Sequence, residues 1–310
     1  MTLQQLRYFC VTAEVLHYTR AADLLYVSQP SLSYSLSKLE KELNTALFEK
    51  SGKQIALTKS GAEFLPYAKR ALAELSKGQE RLKELGTPGA GMINLGYIYS
   101  VSFSILPAFM DRYYAQAGDR RPEFRFHQGM AGVLYEQLLN GSLDLLIAEK
   151  PDIASLEYLP IAEQELFLAV PSSHRLASRD SISLSDVDGE RLISITHDAI
   201  IYRQLADRFR EASLTPNIVF EADEYSSIAA SVTTGAGVAI VPRLPVLDNF
   251  NLKLIPFSDG AMTREICILR YRLHTMSPAV QRVWDFAGRV SEEFGKAGLS
   301  DPAVSGATAL

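Results

Sequence analysis

The 310-residue chain has few of the groups that carry redox, metal or hydrolytic chemistry. It has two cysteines, Cys10 and Cys267, far apart in apolar settings and without a C-x-x-C spacing. That excludes a disulfide scaffold and predicts two buried free thiols in a reducing cytosol. A redox switch would want a second thiol near Cys267, and the C-terminal two-thirds offers none. Five histidines are scattered without ligand spacing, so neither a metal site nor a cofactor is expected. There is no G-x-S-x-G, H-E-x-x-H or P-loop, and Gly235-Ala236-Gly237 lacks the third glycine of a dinucleotide site. No catalytic residue is assigned, and an enzyme is disfavoured. No apolar run reaches the length of a membrane span. Arg7 interrupts the N-terminus, which reads as an amphipathic helix and not a secretory leader, so a cytoplasmic protein without membrane contact is expected. A pure solute-binding protein would need such a leader.

Strong positive charge is also missing. The net charge is −5, which argues against a generally basic nucleic-acid binder. The distribution matters more. Residues 1–90 hold 12 Lys and Arg against 9 Asp and Glu, and the remaining residues are acidic. A basic N-terminal third on an acidic body focuses DNA affinity at one end. The excess is modest, so dimerisation would be needed to multiply the phosphate contacts.

What is present begins with Thr2, Gln5 and an apolar face of Leu3, Leu6, Phe9, Cys10 and Ala13, a helix with a capping box. Tyr18 to Asn44 then reads as two helices joined by a tight turn. Thr19 is placed to N-cap the first, whose inner face is Ala21, Ala22 and Leu25. Val27 and Ser28 form the turn. Ser28 stands at an N-cap, and Pro30 falls in the first turn of the second helix, where its missing N–H costs least. Leu32, Leu36, Leu39 and Leu43 make one buried stripe. The opposite face carries Gln29, Ser31, Ser33, Tyr34, Ser37 and Lys38, short or polar groups suited to base edges in a major groove. An ordinary surface hairpin of helices is the bland alternative. The small-residue first helix and the Ser-Gln-Pro entry favour helix-turn-helix.

Leu47 to Lys50 and Gln54 to Leu57 flank Ser51-Gly52, a hairpin signal with Lys50 and Lys53 beside its tip. It reads as a wing on the DNA backbone or as a solvated loop. A long helix follows, about Lys59 to Leu85, with Pro66 expected to kink or loosen its start. Leu65, Ala68, Leu72, Leu75, Gln79 and Leu82 form a heptad seam with one polar member. The seam either pairs with a second subunit, the favoured reading, or packs on its own chain. Gly86 to Gly91 ends it in a flexible hinge.

From Met92 strands and helices alternate, which predicts a mostly parallel sheet covered on both faces and divided into two α/β lobes. The tail from Leu299 should be disordered. The boundaries expected are a DNA-binding domain at 1–58, a linker and dimerisation helix at 59–91, a two-lobed α/β domain at 92–300 and a disordered tail at 301–310.

Several runs together closely resemble the LysR-type transcriptional regulators of bacteria. They are Thr19-Arg20-Ala21-Ala22, Val27-Ser28-Gln29-Pro30-Ser31-Leu32-Ser33, Leu39-Glu40, Leu47-Phe48-Glu49 and Leu57-Thr58-Lys59-Ser60-Gly61. Leu106-Pro107, Gly141-Ser142-Leu143-Asp144-Leu145, Val170-Pro171 and Gly235-Ala236-Gly237-Val238-Ala239-Ile240-Val241-Pro242 extend the likeness over nearly the whole chain. The resemblance implies a winged helix-turn-helix, a dimerising linker helix and a periplasmic-binding-protein-like effector domain at 92–300 whose lobes are joined by crossover strands near Glu163–Val170 and Arg264–Arg270, with lobe I at 92–162 and 268–300 and lobe II at 163–267. It further implies a dimer of dimers as homotetramer, double-stranded promoter DNA and a small-molecule effector as partners, and RNA polymerase as a further one. The DNA-contact set is Thr19, Arg20, Gln29, Pro30, Ser31, Ser33, Tyr34, Lys38, Lys50 and Lys53. The chain departs from the family at Tyr34 and in the wing, where arginine is usual. Lysine cannot make arginine's bidentate contact, so Lys50 and Lys53 are assigned to phosphates. Asn44 replaces a usual glycine and tolerates the left-handed conformation.

Ligands of two-lobed α/β domains sit at strand C-termini and helix N-termini. That selects Tyr99, Ser100, Ser102, Gln128, Met130, Thr196, His197, Tyr202, Glu224 and Tyr225 as effector contacts. Ser100 and Ser102 could equally cap a helix, and His197 reads better as a surface or capping histidine. Arg203, if turned inward, would favour a carboxylate.

Overall fold

A computed structural model describes residues 1–51, 54–86, 91–118, 121–260 and 262–297. Lys53, most of the hinge and the whole 301–310 tail lie outside the described residues. The chain divides into two compact units, the first made of Met1–Gly86 with Leu139–Ser142 and the second of the rest.

The N-terminal unit contains α1 (Leu3–Val15), α2 (Tyr18–Leu24), α3 (Gln29–Leu43), the hairpin β1 (Phe48–Ser51) with β2 (Gln54–Leu57), and α4 (Lys59–Gly86). The Thr2–Gln5 capping box opens α1. Leu3 does not join the inner face, being 54% exposed, whereas Gln5 is buried there. The cap of α2 is His17 and not Thr19: the His17 ring Nδ1 accepts from the Arg20 N–H at 3.3 Å. Ser28 caps α3 as expected. The turn before it depends on Tyr26, held at φ 56° with its side chain 96% exposed. Leu32, Leu36 and Leu39 are buried in one core with Phe9, Ala21, Ala22 and Leu47. Each such burial contributes about 1.5–3 kcal/mol, which fixes which side of α3 faces out. Asn44 ends the helix at φ 51°.

Two side chains explain why separated motif runs belong together. The Glu40 carboxylate accepts from the Leu47 and Phe48 N–H groups at 2.8 and 3.1 Å, tying α3 to the hairpin. Thr58 Oγ1 donates to the Ala46 carbonyl at 2.7 Å and accepts from the Gly61 N–H at 3.0 Å, fixing the start of α4. The α4 seam divides. Leu65, Ala68 and Leu72 pack against the core of their own unit. Leu75 and Leu82 stay exposed, as does Gln79. The helix runs on through Pro66.

The second unit runs β3 (Met92–Ile98), α5 (Ile105–Ala117), β4 (Glu123–Gly129), α6 (Ala131–Leu139), β5 (Leu145–Glu149), β6 (Leu156–Pro171), β7 (Arg191–Ile195), α7 (Ile200–Glu211), β8 (Asn217–Ala222), α8 (Tyr225–Thr233), β9 (Ala239–Pro242), β10 (Leu252–Pro256), β11 (Thr263–Tyr271) and α9 (Pro278–Ala297). A short 3-10 helix, Tyr99–Phe103, follows β3. The mostly parallel sheet expected from the alternation is not found. Strand β3 pairs in parallel with β4 and β5, and β7 with β8. Strands β6 and β11 run antiparallel to each other and to their other neighbours β5, β9 and β10. The sheet order is β10-β6-β11-β5-β3-β4, with β9 on the other side of the end of β6. The reason is the length of β6. Sixteen residues at about 3.3 Å each make a strand that serves both lobes, antiparallel to the returning β11.

Lobe I is sealed by Phe109, Tyr113, Phe124 and Phe286, whose rings meet edge to face. Lobe II has its own core, which includes Leu168, Ile193, Phe209, Ile228 and Val241. Asp144 accepts from both the backbone N–H and the side-chain amide of Asn94 at 2.9 and 3.2 Å, the physical content of the Gly141–Leu145 run. Among the described residues no helix is long and apolar enough to cross a membrane.

Candidate functional site

Two sites take shape, one in each unit. In the first, α3 presents its polar face outward because its leucines face in. Gln29, Pro30, Ser31, Tyr34 and Lys38 are exposed, as are Thr19 and Arg20 on α2 and Lys50 on β1; Ser33 is half-buried. The Gln29 amide donates to Ser33 Oγ at 2.9 Å, so these two present one fixed donor and acceptor surface. Tyr34 is 74% exposed, an aromatic face directed to solvent. Tyr26, in the turn before α3, is 96% exposed, and sequence reasoning passed over it.

In the second unit a cavity of about 130 Å³ lies between the lobes, where β3, β4, β7 and β8 end and α6, α7 and α8 begin. Of the ten residues expected to meet an effector, Tyr99, Ser100, Met130, Thr196 and Tyr225 line it. Ser102, Gln128, His197, Tyr202 and Glu224 do not. Ser102 donates to the Tyr99 carbonyl at 2.6 Å, a local helix bond. Gln128 is exposed on β4. His197 is exposed with Nδ1 at 3.2 Å from Glu221 and Nε2 at 3.5 Å from Asp198. The Glu221 hydrogen bond, then the Asp198 and Glu221 charges, raise its pKa above the ordinary value. Tyr202 packs against the lobe II core beside a separate small apolar pocket. Glu224 is the N-terminal flank of α8, and its carboxylate accepts from Ser226.

Sequence reasoning missed the floor of this cavity. Arg264, on β11, is 2% exposed. Its Nη1 donates to Glu149 at 2.7 Å and to the Tyr225 hydroxyl at 3.4 Å. Its Nη2 donates to Ser100 Oγ at 2.9 Å, and both Nη2 and Nε reach Gln164 Oε1, at 2.6 and 3.0 Å. The guanidinium thus joins lobe I, through Ser100 and Glu149, to lobe II, through Tyr225. Arg264 and Gln164 are direct cross-strand partners on the two connecting strands. Burial, partly offset by the Arg264 charge, pushes the Tyr225 phenol up to about 12, so it remains a neutral hydroxyl at physiological pH. The available signal was a charged residue inside the crossover run Thr263–Tyr271, where a sheet interior otherwise wants apolar groups. Both cysteines are buried. Burial raises the Cys10 thiol to about 11 and Cys267 further still, with Glu265 adding to the latter. Among the described residues no cluster of His, Cys, Asp and Glu could hold a metal ion.

Comparison with known proteins agrees with this division. Residues 3–62 match the model of the bacterial regulatory helix-turn-helix protein, lysR family, and residues 86–292 match the LysR substrate binding domain. An uncharacterized HTH-type transcriptional regulator, YybE of Bacillus subtilis, is 32% identical over 91% of this chain and 96% of its own length. The dual regulator OxyR of Escherichia coli is 28% identical over 79% of this chain and 80% of its own. Among solved structures, the effector binding domain of QuiR in complex with shikimate is 26% identical over 66% of this chain and 98% of that one, with a TM-score of 0.63. Full-length CbnR complexed with its target DNA shares the fold at 21% identity, over 94% of this chain and all of that one, with a TM-score of 0.69. With a helix-turn-helix match over residues 3–62, a substrate-binding-domain match over 86–292 and a two-lobed α/β fold, this chain is a member of the LysR family of bacterial transcriptional regulators.

Proposed function

We propose that α3 reads promoter DNA through Gln29, Ser31, Ser33 and Tyr34, while Thr19, Arg20, Lys38, Lys50 and Lys53 hold phosphates. Pro30 sets the entry of the helix. The observation that carries this is the bonded Gln29–Ser33 pair on the exposed side of a helix whose other side is fixed by Leu32, Leu36 and Leu39. Glutamine amides and serine hydroxyls match base-edge donors and acceptors, and lysines match phosphates as point charges. The protein acts in the cytoplasm as an oligomer, a dimer of dimers, with the exposed Leu75, Gln79 and Leu82 on α4 as the part of the seam available to a second copy. RNA polymerase is the downstream partner.

The effector occupies the cavity floored by Arg264 and lined by Tyr99, Ser100, Met130, Thr196 and Tyr225. Because Arg264 bonds to groups from both lobes, an occupant that touches Ser100 or Tyr225 changes the balance between open and closed lobes. It thereby shifts a pre-existing equilibrium between DNA-bound arrangements. A gel shift with the gene's upstream region, at two salt concentrations, tests the DNA reading. Gln29→Ala or Ser33→Ala should lose preference for the native fragment over a scrambled one. Lys50→Ala should weaken both alike and lower the salt slope. Native and scrambled fragments bound equally by the unaltered protein would overturn it.

A further inference from the structure

We infer that Glu149 is a built-in counter-ion that prevents Arg264 from anchoring an acidic effector, and that the cavity takes a small molecule bearing a basic amine. This rests on the reading of the inter-lobe cavity as the effector site and goes beyond it to the chemistry of the occupant. Arg264 is the one basic residue among the cavity's lining groups. A buried guanidinium facing a cleft would ordinarily fix a carboxylate by a forked pair of hydrogen bonds. Here each of its three nitrogens already donates to a protein oxygen, and its charge is met by Glu149 at 2.7 Å, with both side chains out of solvent. An incoming carboxylate would have to displace Glu149 and leave that carboxylate buried without its partner, a strongly unfavourable exchange.

The other ionisable groups of the lining are Asp198, Asp223, Tyr99 and Tyr225. Both aspartates are exposed, at the starts of the α7 and α8 segments. His197 beside Asp198 is shared with Glu221 and does not line the cavity. With Arg264 neutralised inside, these two carboxylates set the sign of the opening, and that sign is negative. An ammonium group at the opening meets them, each contact a charge-assisted hydrogen bond. The far end of the molecule meets Ser100 and the Tyr225 hydroxyl. The cavity is therefore graded from donors at its floor to acceptors at its opening.

The test uses the full chain and a panel of matched compounds read by thermal shift. It comprises primary amines carrying a hydroxyl or carbonyl oxygen, the same skeletons without the amine, and carboxylates of similar size with shikimate among them. The expected result is that only amine-bearing members raise the melting temperature. Asp198→Asn with Asp223→Asn, both on exposed side chains, should weaken those amines about tenfold. Glu149→Gln, which frees Arg264, should gain binding of the carboxylates. Carboxylates that stabilise the unaltered protein as well as amines do would overturn the inference, as would amine binding indifferent to the double aspartate change. So would the failure of every amine at millimolar concentrations. Should Glu149→Gln not fold, the exposed aspartate pair still decides. Gly132→Trp separates the two levels of the argument. Gly132 lines the cavity, and a Cβ there meets nothing within 4 Å, so a side chain can start from it and the bulk of an indole is set against any occupant. Carboxylate binding abolished by Gly132→Trp would sink the amine reading and leave the cavity as the effector site. Binding of any class that survives it would remove the cavity reading itself.

Discussion

The same substitution at two glycines of one helix should have opposite effects on stability. Gly61 lies in the first turn of α4, buried where the helix meets the hairpin. A Cβ at Gly61 would sit 2.1 Å from the Leu47 carbonyl oxygen and 2.9 Å from a Leu57 methyl. The nearer atom is backbone, so relief requires α4 to move by nearly an ångström. The Thr58 hydroxyl, bonded to both Ala46 and Gly61, resists that movement. Overpacking of this kind costs about 1–3 kcal/mol. A weakened Thr58 hydrogen bond adds about 1 kcal/mol, and the better helix propensity of alanine returns about 1 kcal/mol. The net expectation for Gly61→Ala is a loss of about 1–3 kcal/mol. Gly78 lies on the same helix with nothing within 4 Å of its would-be Cβ. Gly78→Ala should therefore gain about 1 kcal/mol from propensity alone. The unfolded-state contribution is the same for both and cancels in the comparison. At about 4–8 °C per kcal/mol for a domain of this size, the two variants of the full chain should melt on opposite sides of the wild type in the first helical transition seen by circular dichroism. Gly61→Ala melting at or above Gly78→Ala would refute the close-approach argument.

Three further outcomes are expected. Tyr26→Asn should raise stability by roughly 1 kcal/mol, because a bulky residue at positive φ is strained and the ring, 96% exposed, contributes no packing; a chemical denaturation midpoint that falls would contradict this. Native protein at pH 8 should show no fast thiol reaction with a disulfide reagent, both cysteines reacting only after denaturation, since burial raises both thiols. Peroxide should then leave DNA binding unchanged, and rapid labelling would reverse that expectation. The His197 imidazole should titrate above 6.5 by NMR and move back towards it in Glu221→Gln. Its folded pKa is raised, so its contribution to stability is complete below pH 6.5 and disappears as pH rises through the folded value; a midpoint at or below 6.5 would contradict the Glu221 contact.

Much of the N-terminal unit was legible because its signals are local. The Leu32, Leu36, Leu39 stripe, the Ser28 cap and the Thr2–Gln5 box need only neighbouring residues to be read. The errors there were also local. Histidine is not a usual cap, so His17 was passed over for Thr19. A tyrosine at positive φ gives no sign of itself in sequence. In the second unit the strands were recognisable, but Pro160 obscured the first half of β6, since proline argues against an interior strand. The structure places it beside a register shift, where a missing N–H is tolerated. Without that half-strand the direction of the crossover could not be seen. The cavity floor was unreadable for a related reason. Ser100, Glu149, Gln164, Tyr225 and Arg264 come from five elements far apart in the chain, and only the tertiary fold unites them.

That register shift has a consequence for how the gene can vary. Cys267 lies opposite Pro160 and Ile266 opposite Ala162, so Ile161 is one residue more than the ladder needs. Deleting it would remove the bulge and leave Gln164 opposite Arg264. A residue inserted between 162 and 164, past the shift, would change the count instead, and with a two-residue repeat every later side chain of β6 would swap faces. Gln164 would turn its amide from Arg264 towards the opposite layer, and the leucines behind it would follow into water. Insertions should thus be forbidden past the shift, between 162 and 171, where spacing itself is inherited, whereas the loss of Ile161 should be tolerated.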